Sequence, residues 1–158
     1  MKNYSGLTLL LILLMASNQL LAQLIDFSRA SVVQSAQIKS PVKESAVELL
    51  QQEVAKRTGI LLPVGKPANN KTLIVMALQS DNQVGELTVP KSSNKNLAET
   101  KAEGFRVVTE NQGGKQILWL ICADERGVLF ATGYFLRKAD LLKGKIGFDA
   151  KNEIATSP

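Results

Sequence analysis

The residues most able to do chemistry in this chain are the adjacent carboxylates Asp124 and Glu125, the single cysteine Cys122 and a few aromatic side chains. Two carboxylates can share acid and base work at a scissile glycosidic bond, but they must then face each other across about 5 to 9 Å. Consecutive residues at a helix start diverge instead. Asp124 therefore reads as a helix cap and Glu125 as a first-turn charge set against the positive end of the helix dipole. Glu103, Glu110 and Glu153 stand alone in the sequence and read as solvated. The chain contains no histidine, which removes Ser-His-Asp and Cys-His catalysis together with imidazole-based zinc sites. Cys122, between Leu120-Ile121 and Ala123, reads as a small buried hydrophobe with a raised pKa rather than a nucleophile. Gly113-Gly114 belongs to a hairpin, and Gly144-Lys145 lacks the earlier glycine and the following Ser or Thr of a phosphate loop. Trp119, Phe130, Tyr134 and Phe135 could stack on a sugar ring. Their spacing puts one in a strand and three on a helix, where core or interface packing is commoner. No catalytic, cofactor-binding or metal-binding set emerges from these residues.

Asp124 to Gly127 need a strand before them and a helix after them, and the apolar pattern supplies both. Gly104 to Glu110 and Gln116 to Cys122 are strand-like runs joined by a Gly-rich turn, which predicts a β-hairpin. Val128, Leu129, Thr132, Phe135, Leu136 and Ala139 fall on one face of a helix that starts near Asp124 and runs through Leu142. Upstream, Ala30 to Ile38 contains Val32 and Val33 and predicts a first strand. Ser40-Pro41 then reads as a helix start, with serine capping the free amides and proline at the first helical position. Val42, Ala46, Leu49, Leu50 and Val54 recur at helical spacing until Gly59 ends the helix. Ile60 to Val64 and Leu73 to Leu78 predict two further strands, the second one buried. The polar stretch from Asp81 to Glu103, with Pro90 inside it, predicts a surface excursion, and Lys145 to Asp149 a short strand. This order predicts an α+β two-layer sandwich, a mixed and mostly antiparallel sheet with two helices on one face.

The ends bound where such a domain works. Residues 1–22 have the layout of a secretory signal peptide: Lys2, an apolar run from Leu7 to Ala16, and a small residue at Ala22 for cleavage. The run is shorter than the roughly 20 residues that cross a bilayer. Export to the periplasm or the extracellular space follows as the expectation, with no membrane contact after cleavage; an uncleaved anchor is the alternative, because Leu20 is larger than a cleavage site favours. Residues 23–29 read as an N-terminal lead, 30–149 as one α/β domain and 150–158 as a truncated linker. A lone cysteine forms no internal disulfide, so stability must come from the hydrophobic core. The formal charge of +5 is spread along the chain, which argues against nucleic acid as a partner.

Ile121-Cys122-Ala123-Asp124-Glu125-Arg126-Gly127-Val128-Leu129-Phe130-Ala131 resembles the strand-to-helix junction of the domain that precedes the catalytic barrel in α-glucuronidases and β-N-acetylhexosaminidases. Three other stretches agree with it in order. Ala46 to Val64 is similar to the helix and strand before that domain's central strand, Leu73 to Leu78 to the central strand, and Glu103-Gly104-Phe105-Arg106-Val107 to the start of its hairpin. The likeness spans about Ala30 to Leu142, and Arg126-Gly127 resembles the α-glucuronidase version more closely. The resemblance implies a non-catalytic accessory domain, without cofactor, packed against a (β/α)8 barrel that this chain does not contain and that would carry the catalytic carboxylates. A polysaccharide or oligosaccharide is the further expected partner, and the alternative reading is a stand-alone exported carbohydrate-binding module, which would need two or more aromatic side chains exposed on one rim. Asp124, Glu125, Arg126 and Tyr134 are the residues that would meet the neighbouring domain.

Overall fold

A run of six apolar residues too short for a helix, Leu73 to Leu78, is satisfied only where a strand is covered on both faces. In the computed structural model, which describes residues 24–39, 41–65, 71–91 and 101–149 and the backbone of 153–155, that is where it lies. The elements are β1 (Leu24–Asp26), β2 (Ser31–Gln34), α1 (Val42–Thr58), β3 (Thr72–Leu78), β4 (Gln83–Val84), β5 (Leu87–Thr88), β6 (Phe105–Gln112), β7 (Lys115–Cys122), α2 (Glu125–Lys138), β8 (Asp140–Leu142), β9 (Lys145–Asp149) and β10 (Glu153–Ala155). A five-stranded sheet has the order β10-β6-β7-β3-β2. β3 is parallel to β2 and to β7, while β6 pairs antiparallel with β7 and with β10. A smaller antiparallel sheet, β1-β9-β8, and the β4-β5 hairpin complete the domain. The result is the expected α+β fold with two helices packed on a mixed sheet.

Alternation along the strands sorts the core into two layers. Val32, Ile74, Met76, Leu118, Leu120 and Cys122 point to the helices, where they meet Leu50 and Val54 of α1 and Val128, Ala131 and Phe135 of α2. Phe148 of the small sheet closes this layer by stacking on Phe135, with ring centroids 5.6 Å apart. Leu73, Val75, Ala77, Ile117, Trp119 and Ile121 point the other way, beneath Val84, Leu87 and Val89. Burial on both faces is why β3 and β7 read as unbroken apolar runs instead of alternating ones.

α1 and α2 run side by side in the same direction. The Lys39 N–H donates to Glu125 Oε1 (3.1 Å) where the helices begin, and Arg57 Nη1 donates to the Leu136 carbonyl (2.9 Å) where they end. Gly59 stops α1 in the left-handed conformation (φ 76°) that a glycine adopts without a Cβ penalty, and its N–H closes on the Ala55 carbonyl. The two-residue turn Gly113-Gly114 (φ 59° and 76°) has the twist that an antiparallel hairpin prefers.

Several expectations are corrected. Leu49 is 38% exposed, because the buried stripe of α1 is centred on Ala46, Val47, Leu50 and Val54, and Leu49 lies about 100° away from Leu50 around the axis. Pro41 itself takes the cap position with no side-chain cap bond; the expected capping residue Ser40 lies outside the described residues, as does the expected signal segment. Ile60 to Val64 forms no strand but a single parallel bridge from Val64 to Val32, because Pro63 brings a carbonyl and no N–H to the pairing. The excursion after Asp81 is not all surface, since its β4-β5 hairpin roofs the second apolar layer. α2 ends at Lys138, and Ala139 (φ −70°, ψ 140°) turns the chain into β8, leaving Leu142 61% exposed. The N-terminal lead is structured: β1 pairs with β9, and Phe27 behind it is wholly buried. The expected linker likewise holds β10, paired on the free edge of β6.

Candidate functional site

The junction singled out by the sequence forms where the end of β7, the start of α2 and the entry to β6 meet. Asp124 has extended backbone (φ −149°, ψ −177°) and caps α2: its Oδ1 accepts the Gly127 N–H at 2.9 Å. Its Oδ2 accepts the N–H of Glu103 at 2.8 Å, so one carboxylate ties the helix start to the strand entry. Glu103 is held in the left-handed region at φ 64°, an unusual conformation for a residue with a side chain. The Glu103 carboxylate in turn accepts from Arg126 Nη1 at 2.9 Å.

Gly127 makes this closeness possible. A Cβ built there would stand 2.6 Å from the Gly104 carbonyl oxygen and 3.3 Å from Cys122 Cβ. That oxygen already accepts the Ala123 N–H at 2.8 Å and has little room to move. Glycine is required by the close approach of two backbones, not by a turn.

The electrostatics follow this geometry. Burial by itself would raise the Asp124 carboxyl, but the N–H groups of Glu103, Gly127 and Arg126 and the Arg126 charge outweigh it and hold the group below the usual carboxylate range. The Arg126 guanidinium is held above its ordinary value by the hydrogen bond and charge of Glu103. Deep burial, with some repulsion from Asp124, pushes the Cys122 thiol far up, leaving it unreactive near neutrality.

Of the four residues expected at a domain interface, only Asp124 and Arg126 come together, through Glu103. Asp124 is committed to internal hydrogen bonds. Glu125 turns toward the start of α1, so the two adjacent carboxylates do not converge. Tyr134 lies farther along α2, where its ring packs on Phe105 (5.4 Å between centroids) beneath the Lys138 ammonium. The aromatic platform does not form either. Trp119 and Phe135 are wholly buried, Tyr134 is half-buried, and of the four only Phe130 is exposed, at 40%. The Trp119 indole N–H donates to Glu110 Oε1 at 2.8 Å, so Glu110 is a partner of the core and not the solvated charge its isolation predicts. Among the described residues no group of three or more His, Cys, Asp or Glu side chains is placed to hold a metal ion.

Sequence reading misses a different feature, a crevice of about 750 Å³ between the segments that follow β2 and β3. Its residues come mainly from two segments some 45 positions apart, joined by Glu125 of α2, and neither segment carries a recognisable motif. A scan against protein-family models finds no match, and a search of the curated proteins finds no relative.

Proposed function

We propose that this is a non-catalytic accessory domain of a carbohydrate-degrading glycoside hydrolase, α-glucuronidase-like or β-N-acetylhexosaminidase-like, which works outside the cytoplasm by packing against a (β/α)8 barrel. The observation that carries the reading is that two separate stretches bearing the resemblance meet in space. Glu103-Gly104 at the strand entry and Asp124 to Gly127 at the helix start interlock through the Asp124 carboxylate, the Arg126–Glu103 pair and the close contact at Gly127. Residues that look like a motif thus act as a joint of the fold. The dispersal of the carboxylates and the burial of Cys122 support a chain that does no hydrolysis of its own.

Exposed apolar side chains favour one end of the domain for docking. The Gly144 N–H donates to the Thr58 carbonyl at 2.8 Å, which brings the β8-β9 turn against the end of α1. Leu142 (61% exposed) and Leu61 (72% exposed) therefore project from the same end. Docking there would bury both and leave the Asp124 joint as internal support.

The test pairs the chain with a separately produced α-glucuronidase barrel, and in parallel with a β-N-acetylhexosaminidase barrel, each stripped of its own preceding domain. One barrel should co-elute with the chain and gain thermal stability from it. Leu61→Asp with Leu142→Asp should abolish the complex while the domain stays folded, and the chain alone should hydrolyse no aryl glycoside. Failure of both barrels to bind, or hydrolysis by the chain that Asp124→Asn removes, would overturn the reading.

A further inference from the structure

β2 and β3 are neighbouring parallel strands whose continuations part to opposite faces of the sheet. From Gln34 the chain climbs to α1 on the helical face, and from Leu78 it drops to the β4-β5 hairpin on the other. Strands that part in this way leave a crevice beyond their carboxyl ends, the place where open α/β sheets hold ligands. The crevice of about 750 Å³ lies there, walled by the 34–39 and 78–85 segments and reached by Glu125 from α2. Its size falls within the range of small-molecule sites.

We propose that this crevice binds a small neutral polyol, a mono- or disaccharide. The charged groups lining it are already engaged or balanced. Asp81 is buried and its Oδ2 accepts the Leu78 N–H at 2.8 Å, while Glu125 Oε1 accepts the Lys39 N–H at 3.1 Å. Among the described residues the lining holds one ammonium, Lys39, and two carboxylates, and Lys91 Nζ at the Asp81 carbonyl brings these charges into balance, so the walls favour neither an anion nor a cation. What remains is a set of exposed carboxamides and a hydroxyl, Gln37, Asn82, Gln83 and Ser80, whose side chains bond to no other described residue. A carboxamide offers a donor and an acceptor side by side, which matches a sugar hydroxyl that both gives and takes a hydrogen bond. Both walls are pre-ordered. Ser35 N–H is fixed on the Met76 carbonyl, Ser35 Oγ accepts the Gln37 N–H at 3.0 Å, and Lys91 Nζ holds the Asp81 carbonyl at 2.8 Å. Among the described residues no aromatic ring lines the crevice, so the affinity is about millimolar. The site lies wholly within this chain and does not rest on the accessory role.

The test is a titration of the full, nitrogen-15-labelled chain, followed by amide chemical shifts, with xylobiose and chitobiose and, in separate arms, glycine and inorganic phosphate. Either sugar should saturably shift the amides of Gln37, Lys39, Asn82 and Gln83. Asn82→Ala with Gln83→Ala should weaken that binding about tenfold, as expected for two lost hydrogen bonds, with the remaining amide shifts and the melting temperature unchanged. No saturable shift with either sugar, shifts confined to another surface, response to phosphate or glycine alone, or a folded double variant that binds as tightly as wild type would each overturn the proposal. Barrel docking can fail while this titration succeeds, and the reverse.

Discussion

The same substitution at two points of one helix should move stability in opposite directions. Gly127 and Gly133 both lie in α2, and alanine is favoured over glycine inside a helix by about 1 kcal/mol. At Gly133 the added Cβ would meet only Arg137 Nη1 at 3.2 Å, the far end of an exposed, flexible side chain that can swing away. Gly133→Ala should therefore stabilise by about 0.5–1 kcal/mol. At Gly127 the Cβ would stand 2.6 Å from a backbone oxygen, where ordinary contact begins near 3.4 Å. Relief requires the β6 entry and the α2 start to separate by most of an ångström. That movement strains the Ala123 N–H to Gly104 bond and the twin bonds of Asp124. Overpacking of this kind costs about 1–3 kcal/mol, and subtracting a first-turn helix gain of about 0.5 kcal/mol leaves Gly127→Ala destabilised by about 0.5–2.5 kcal/mol. Urea unfolding followed by far-ultraviolet circular dichroism measures both variants on one scale, and the melting temperatures should part by roughly 5–10 °C. A Gly127→Ala variant as stable as wild type, or more so, would refute the claim that two backbones touch at this joint.

Three further outcomes follow from the packing. Asp124 has a lowered carboxyl pKa, so its stabilisation is full above the unfolded value near 3.9 and is lost as pH falls through the lower folded value. Asp124→Asn should cost about 1–2 kcal/mol at neutral pH, because an amide cannot accept from both Glu103 and Gly127, and the gap to wild type should narrow progressively in denaturation series taken below the unfolded value. Trp119→Phe leaves a void in the second apolar layer and deprives Glu110 of its indole partner, for an expected loss of about 1–3 kcal/mol in urea unfolding at unchanged secondary structure. Cys122 is buried with a strongly raised pKa, so a thiol reagent should label it only as fast as the domain opens; prompt labelling of the folded protein would contradict its placement in the core.

What could be read from the sequence were the features whose causes lie within one or two turns of chain. Gly59 ends α1, Gly113-Gly114 turns the β6-β7 hairpin and Asp124 caps α2, each at the position its residue type demands. The buried strand β3 could be read as well, because a continuous apolar run of strand length needs cover on both sides. Periodicity located the apolar stripe of α1 only approximately, since Leu49 and Val47 flank its centre and only the packed sheet decides which of them is covered.

Most of the missed features join residues brought together only by the packed fold. β1 finds β9 across more than a hundred residues, the polar-looking segment after Asp81 supplies Val84, Leu87 and Val89 to a second layer, and Glu110 reaches Trp119 across the hairpin. Asp124 was legible as a cap, but its second bond to Glu103 and the contact that demands glycine at position 127 were not. By itself, then, the sequence determined the identity of most elements and how they stop, because caps, turns and periodicity act between residues a few positions apart. The tertiary structure alone decided which apolar face each strand serves, which aromatic rings are withdrawn from solvent and where a crevice opens. Those outcomes depend on strand order and on the face to which each connection departs, and both are set by the joint burial of distant segments.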